Sequence, residues 1–107
     1  MGRRLSAYGP SMEWEFAGRV VEWRGPSPYF YVPMPPDDAE ELKDEARSLI
    51  YWGQVPVTAT IGGTTFKTAL FPKDGTYMVP LKVVVRRAEK IELGDSVNVR
   101  LRVALGD

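Results

Sequence analysis

Residues 96–105, SVNVRLRVAL, alternate between apolar and polar side chains along most of their length. Because successive side chains of a β-strand point to opposite faces of a sheet, this period predicts a strand with one buried and one exposed face. Gly94 and Asp95, directly before it, are typical turn residues. The apolar row is Val97, Val99, Leu101, Val103 and Leu105, and the polar row is Asn98, Arg100 and Arg102.

Earlier segments repeat this alternation and predict further strands. Residues 11–23, SMEWEFAGRVVEW, alternate until Gly18, after which Val21 and Trp23 take over the apolar positions, so a bulge or sharp coil is expected there. YFYVPMPP predicts a short aromatic strand that its prolines end. Between VPVTATI and TTFKTALF, the pair Gly62-Gly63 predicts a tight hairpin, because glycine adopts the positive φ that such turns need.

Two segments change to a helical period. PPDDAEELKDEARSLIYWG predicts a helix that Asp37 or Asp38 could cap. Its apolar face comprises Ala39, Leu42, Ala46, Leu49 and Ile50. A second helix is expected to begin at Pro80, because the missing N–H of a proline costs nothing in a first helical turn. Its predicted apolar stripe comprises Leu81, Val84, Val85, Ala88 and Ile91.

These segments together predict a mainly β fold, a small, split or partly open, mostly antiparallel β-barrel of about six strands with two α-helices. Residues 1–10 show no period and are expected to form a loose N-terminal leader, followed by a single β-barrel domain over residues 11–107. No apolar run approaches the ~20 residues of a membrane-spanning helix, and no signal-peptide pattern is present. A soluble, cytoplasmic protein without membrane contact is therefore expected.

The composition excludes whole classes of chemistry. The 107 residues include no Cys and no His, which removes disulfides, thiolate nucleophiles and the commonest metal ligand and general base. Lys plus Arg and Asp plus Glu both number 14, and this neutrality disfavours a protein that wraps nucleic acid over its whole surface. We expect no catalytic residue, no metal site and no bound cofactor from these patterns.

Four blocks in chain order, PYFYVPMP, TIGGTTFKTALFP, DGTYMVPLK and LGDSVNVRL, resemble DUF1905, a bacterial and archaeal family of unknown function. The resemblance runs from about Phe16 to Leu105. It implies a small β-barrel with a split or partly open sheet and helices after the second strand and before the last. It also implies that relatives often carry a YdeI-like, OmpD-associated (bacteriocin-protection-like) domain, which is not expected within these residues. The family brings no established catalytic residues.

A cationic face on the second predicted helix is the first candidate site. Lys82, Arg86 and Lys90 are spaced four residues apart, with Arg87 beside them, and could bind phosphates by charge neutralisation. The alternative is an ordinary solvated helix face. Val83 lies among these cations, either as a tolerated exposed valine or as a contact in a homo-oligomer.

Aromatic side chains form the second candidate site. Tyr29, Tyr31 and Tyr77 are candidates for contacts at the barrel mouth, although such rings commonly fill the core of a small barrel. An exposed row of rings could also stack nucleobases. Glu13 and Glu15 share the outward face of their strand, where a catalytic carboxylate pair has little support without a His or Cys.

The leading functional prediction is a non-catalytic binding or interaction module for an unknown protein or small-molecule ligand. The alternative is a nucleic-acid-binding protein that uses Lys82, Arg86 and Lys90 together with Arg100 and Arg102. An enzyme with an unrecognised carboxylate site comes third.

Overall fold

The computed structural model describes residues 3–6, 11–24, 29–47 and 53–104. Within them lie eight strand segments, all paired antiparallel, and two helices, which confirms the predicted mainly β class. The elements are β1 (Arg3–Ser6), β2 (Ser11–Arg19), β3 (Val21–Trp23), β4 (Tyr29–Pro33), α1 (Pro36–Glu45), β5 (Val55–Ile61), β6 (Thr64–Lys73), β7 (Thr76–Leu81), α2 (Val83–Glu89) and β8 (Ser96–Ala104). Hydrogen bonds join the strands in the order β1-β2-β8-β5-β6-β7-β4-β3.

β2 and β3 are two halves of one bent strand, separated by Val20. β2 pairs with β8, whereas β3 pairs with β4 near the other end of the ladder. The backbone of Val20 is satisfied at the bend, since its N–H donates to the carbonyl of Asp95 (2.8 Å) and its carbonyl accepts from the N–H of Gly94 (2.9 Å). β2 lies near one end of the strand order and β3 lies at the other end. The bent strand therefore brings the two ends of the sheet together, and the sheet curls into a partly open barrel. Counting the bent strand once gives seven strands, one more than the six or so predicted.

The alternation of buried and exposed side chains does shift after Gly18, as the sequence predicts. The residue that becomes buried after the shift is not one of those expected. Val20 is the residue that turns into the core, at 1 % exposure, whereas Val21 is half-buried and Trp23 is 43 % exposed. The bend directs the end of the strand away from the barrel interior. Local alternation therefore placed Trp23 on the wrong side.

Gly18 of β2 lies against Val32 and Pro33 of β4. A Cβ atom at this position would stand 2.5 Å from Cγ1 of Val32 and 3.1 Å from the carbonyl oxygen of Pro33. Both distances are shorter than an ordinary van der Waals contact between heavy atoms, which is roughly 3.5–4.0 Å. The glycine is therefore required by the contact that closes the barrel between these two strands.

β1 lies along the edge of β2, with Arg3 opposite Glu15. No strand was predicted within residues 1–10, of which residues 1–2 and 7–10 lie outside the described ones. Its sequence, RRLS, has no apolar alternation, so no period in the sequence could have predicted it. β1 is instead defined by its antiparallel pairing with the edge of β2.

The core fills the space enclosed by the curled sheet, and β5 and β8 contribute to it as their alternation predicts. The buried rows are Val55, Val57, Ala59 and Ile61 in β5, and Val99, Leu101 and Val103 in β8. Ile61 pairs with Thr64, so Gly62 and Gly63 form the predicted two-residue turn, with Gly62 at a φ of 60°. Leu105 lies outside the described residues.

α1 covers one end of the barrel. The buried indole of Trp14 donates through Nε1 to Oε1 of Glu41 on this helix, at 2.7 Å. The predicted buried residues Ala39, Leu42 and Ala46 are confirmed, and Leu49 and Ile50 lie outside the described residues.

The predicted cap of α1 is wrong. Pro35 is the N-cap residue, with no side-chain capping bond, and Asp37 and Asp38 lie inside the first turn. Acidic residues are favoured there by the positive end of the helix dipole. A carboxylate in that turn thus stabilises the helix without being its cap.

α2 covers the opposite end and begins later than predicted. Pro80 and Leu81 are still part of β7, because Leu81 pairs with Phe30 of β4. Of the predicted stripe, Val85 and Ile91 are buried, but Val84 is 68 % exposed. Ala88 is exposed as well. The helix is seven residues long. A hydrogen bond from the hydroxyl of Thr64 in β6 to the carboxylate of Glu89 joins the helix to the sheet.

Candidate binding surface

Four aromatic side chains gather on the outward side of the barrel, and we call them the aromatic face: Trp23, Tyr29, Tyr31 and Phe71. Val32 of β4 points into the core. Since neighbouring strand residues point to opposite sides, Tyr31 points outward, and so does Tyr29 two residues earlier. The pairing of Trp23 with Tyr29 across β3 and β4 adds the indole to the same side. All four rings lie outside the core cluster.

The rings contact one another edge to face. Trp23 and Tyr29 have ring centroids 5.5 Å apart at an interplanar angle of 80°. Phe71 lies 6.1 Å from Tyr29 at 67° and 5.8 Å from Tyr31 at 72°. The two tyrosines are 5.9 Å apart at 56°. Such tilted pairs are the favoured geometry of aromatic side chains, so the face is a packed cluster rather than a chance grouping.

Exposure differs strongly across the cluster. Tyr31 at its centre is 6 % exposed, whereas Trp23 at its margin is 43 % exposed. Tyr29 and Phe71 are half-buried. The cluster thus exposes Trp23 to solvent and packs it against rings that are buried or half-buried.

Two ion pairs involve residues that are close in sequence to the aromatic face. Nε of Arg24 lies 3.2 Å from Oε1 of Glu22. Nζ of Lys73 lies 3.9 Å from Oδ2 of Asp74. Glu22 is the neighbour of Trp23 in β3 and therefore points to the opposite side of the strand. Lys73 is two residues from Phe71 in β6 and shares its side.

Both tyrosines of the aromatic face keep their hydroxyl protons at neutral pH. Burial, followed by the neighbouring Tyr31, raises the pKa of Tyr29 above its ordinary 10.0, and Lys73 opposes this effect. Burial, followed by Asp74, raises the pKa of Tyr31. A protonated hydroxyl can donate a hydrogen bond.

Tyr77 lies apart from the other two predicted mouth tyrosines. It belongs to the core cluster, and burial raises its pKa. It lies at the end of the barrel beneath α1, beside a cavity of about 220 Å³ whose lining includes Ala39, Glu40, Lys43, Pro72 and Thr76. Tyr29 and Tyr31 lie on the outer face of the barrel rather than at its mouth.

The four predicted cations of the second helix differ in their surroundings. The guanidinium Cζ of Arg86 lies 4.1 Å from the ring centroid of Phe30, so Arg86 covers the barrel end by a cation–π contact. Lys82 is the N-cap residue, and Lys90 ends the helix in a left-handed conformation with a φ of 54°. Arg87 is exposed. Lys82 and Lys90 are exposed as well, so the cationic face stays a prediction.

Arg100 and Arg102 lie on the outer face of β8 beside carboxylates. The ladder places Glu15 opposite Arg100 and Glu13 opposite Arg102. Nη2 of Arg100 is 3.7 Å from Oε2 of Glu15. The outward placement of both glutamates is confirmed, and their charges offset those of the arginines.

Among residues 3–6, 11–24, 29–47 and 53–104, no group of three or more acidic side chains is placed to hold a metal ion. In the same part of the chain, no helix has the length and apolar character needed to cross a membrane.

The family model for a domain of unknown function (DUF1905) matches residues 16–101. The chain belongs to this family. The DUF1905 match runs from within β2 to within β8, so it includes the bent strand, both helices and all four rings of the aromatic face. Comparison with curated proteins finds no match.

Two members of the aromatic face, Trp23 and Phe71, were not predicted as site residues. One signal was available in the sequence, because Tyr29 and Tyr31 are two residues apart and must share a face of their strand. The partners of that face depend on which strands are neighbours. This order is a property of the whole ladder and not of any local segment.

Proposed function

We propose that this DUF1905 domain is a non-catalytic binding module and that the aromatic face is its binding surface. The observation that supports this is the exposure of Trp23 on an ordered cluster of rings outside the core. An apolar patch exposed in this way gains the fold little and favours association with another molecule. Trp and Tyr are also the residue types that contribute most at binding surfaces.

The chemistry of the chain supports binding rather than catalysis. The sequence has no Cys or His, so a reaction would depend on carboxylates, Lys, Tyr, Ser or Thr. Glu15 is paired with Arg100 on the outer face of the sheet, at 3.7 Å. The aromatic face offers rings and hydroxyl donors, which suit recognition.

Nucleic-acid binding has less support. Arg100 faces Glu15, which opposes its charge, and the guanidinium of Arg86 lies over the ring of Phe30. Affinity for a nucleic acid depends on cations that neutralise phosphates. The exposed Lys82, Arg87 and Lys90 are left as the main cations around α2.

Phenol, used as a small aromatic probe, tests the proposal by NMR. We expect saturable shifts of the backbone amides of Trp23, Tyr29 and Phe71, because a ring-shaped probe gains most where other rings are exposed. Trp23→Ser should remove the saturable shifts. Val84→Ser, which changes a more exposed apolar residue on α2, should leave them in place.

The proposal is contradicted if the saturable shifts map to α2 or to the face around Arg100. It is also contradicted if phenol gives no saturable shift anywhere on the protein.

A further inference from the structure

We propose that the α2 end of this chain docks on the α1 end of a second copy, so that the molecules associate head to tail. We give the name α2 face to five exposed residues, Lys82, Val83, Val84, Arg87 and Lys90. This contact joins the two ends of the barrel and is independent of the function proposed for the aromatic face.

Two adjacent valines protrude from the α2 face. Val83 is 50 % exposed and Val84 is 68 % exposed, whereas Val85 is buried. With about 3.6 residues per turn, Val83 and Arg87 lie on the side of the helix opposite Val85. Apolar side chains on that side contribute little to the fold, and an exposed apolar patch rimmed by polar residues is typical of a contact site.

Three cations flank the two valines. Lys82 is the N-cap residue of α2, Arg87 lies one turn along the helix from Val83, and Lys90 is the C-cap residue. Within the described part of the chain, none of these cations forms an ion pair. The carboxylate of Glu89 accepts the hydroxyl proton of a sheet residue instead. The α2 face is therefore apolar at its centre and positively charged at its margin.

α1 carries the opposite charge at the other end of the barrel. Four exposed carboxylates share one side of this helix because their spacing is i, i+3, i+4 and i+7, namely Asp37, Glu40, Glu41 and Asp44. Lys43 and Arg47 offset part of this charge, and Arg47 pairs with Asp44 at 3.2 Å. Since the whole chain has 14 cations and 14 carboxylates, it is a neutral molecule with oppositely charged ends. Such charges favour a head-to-tail contact and oppose contacts between like ends.

The two ends are too far apart to neutralise each other within one molecule. α2 is hydrogen-bonded to Thr64 at the start of β6, whereas the α1 end includes Pro72 near the end of the same strand. Because a strand rises about 3.3 Å per residue, these two positions are separated by roughly 25 Å. The Debye length at physiological ionic strength is only about 8 Å. The opposite charges therefore meet only when a second copy is present.

The cavity beside α1 offers a place for the protruding valines. Its volume is about 220 Å³, and its lining includes the apolar groups of Ala39, Pro72 and Tyr77 together with Glu40 and Lys43. We expect Val84 of one molecule to enter this cavity on the next, with Arg87 beside Glu40. A contact between two different surfaces leaves a free end on each assembly, so growth continues beyond the dimer.

Sedimentation velocity of the full chain, from micromolar to millimolar concentration, tests this inference. We expect the average mass to rise with concentration beyond that of a dimer, and to fall when salt screens the charges. Val84→Ser should weaken the association about tenfold, as the loss of a central contact does.

Charge reversal at each end tests which surfaces meet. Lys82→Glu with Arg87→Glu, the α2 variant, and Glu40→Lys with Asp44→Lys, the α1 variant, should each lose association because like charges then face each other. An equimolar mixture of the two variants should associate again, since their ends are once more complementary. Lys67→Glu with Arg102→Glu is the matched control, because it changes the net charge equally at exposed positions on the side of the barrel. It should leave the affinity unchanged within about twofold.

Several results would overturn the inference. These are a monomer at millimolar concentration and low salt, growth that stops at the dimer, full association of Val84→Ser, and equal losses in the α2 variant and the control. Failure of the mixture to associate, with both variants folded by circular dichroism, has the same meaning. Association that Trp23→Ser abolishes and the α2 variant keeps would place the contact on the aromatic face, and the proposed function would stand without this inference.

Discussion

Trp14→Ala is expected to lower the free energy of unfolding by about 3–5 kcal/mol, the usual cost of truncating a large buried aromatic residue. Trp14 is fully buried, lies opposite Leu101 in the β2–β8 ladder and donates to Glu41 of α1. The substitution therefore leaves a cavity and removes a contact between the barrel and its helix. Since small domains are stable by roughly 5–15 kcal/mol, a large share of the stability is lost. Urea unfolding followed by circular dichroism measures it.

Glu41→Gln and Glu41→Ala are the matched controls for the Trp14 result. Glutamine keeps an oxygen acceptor for the indole, so we expect little change. Alanine removes that acceptor and should cost about 1 kcal/mol, the net value of a typical hydrogen bond. If Trp14→Ala cost no more than Glu41→Ala, the placement of Trp14 at the centre of the core would be wrong.

Gly18→Val is expected to destabilise the domain by about 3 kcal/mol, near the upper end of overpacking costs. The added Cβ alone would lie 2.5 Å from Cγ1 of Val32 and 3.1 Å from the carbonyl oxygen of Pro33, and valine adds two methyl groups beyond it. The backbone oxygen cannot move aside as a flexible side chain can. β2 and β4 must therefore separate, and the barrel opens at that point. Gly18→Ala should show the same effect at smaller size.

Gly63→Ala is the matched control for Gly18. A Cβ at Gly63 meets no atom within 4 Å, and its φ is not in the left-handed region. We expect a change within about 0.5 kcal/mol, as for other surface substitutions. Equal effects at Gly18 and Gly63, measured by the same urea unfolding, would show that β2 and β4 do not approach closely.

The parts of the fold that could be predicted are those that neighbouring residues determine. β5 and β8 bury every second side chain, and the hairpin between β5 and β6 turns at Gly62-Gly63, because alternation and glycine turns are local properties. The start of α2 could not be predicted in this way. Pro80 and Leu81 are compatible with a first helical turn, but their pairing with β4 keeps them in β7. A contact distant in sequence overrides the local preference.

The candidate surface was predicted only in part, for a related reason. Tyr29 and Tyr31 were identified from their residue type, but their position at the mouth was assumed. Trp23 was assigned to the inward row because its period continues from Val21, and the bend at Val20 reverses that assignment. A bend of this kind depends on the turn at Gly94 and Asp95, which lies more than 70 residues away in the sequence.

Hydroxyl-radical footprinting of the native protein tests most directly whether the aromatic face lies on the outside of the barrel. Trypsin cleaves after Arg19 and Arg24, so Trp14 and Trp23 are recovered in separate peptides and their oxidation rates are compared within one sample. We predict rapid oxidation of Trp23 and protection of Trp14, with protection lost in urea. Equal protection of both tryptophans in the native protein would place Trp23 in the interior and contradict the assignment of the aromatic face as a binding surface.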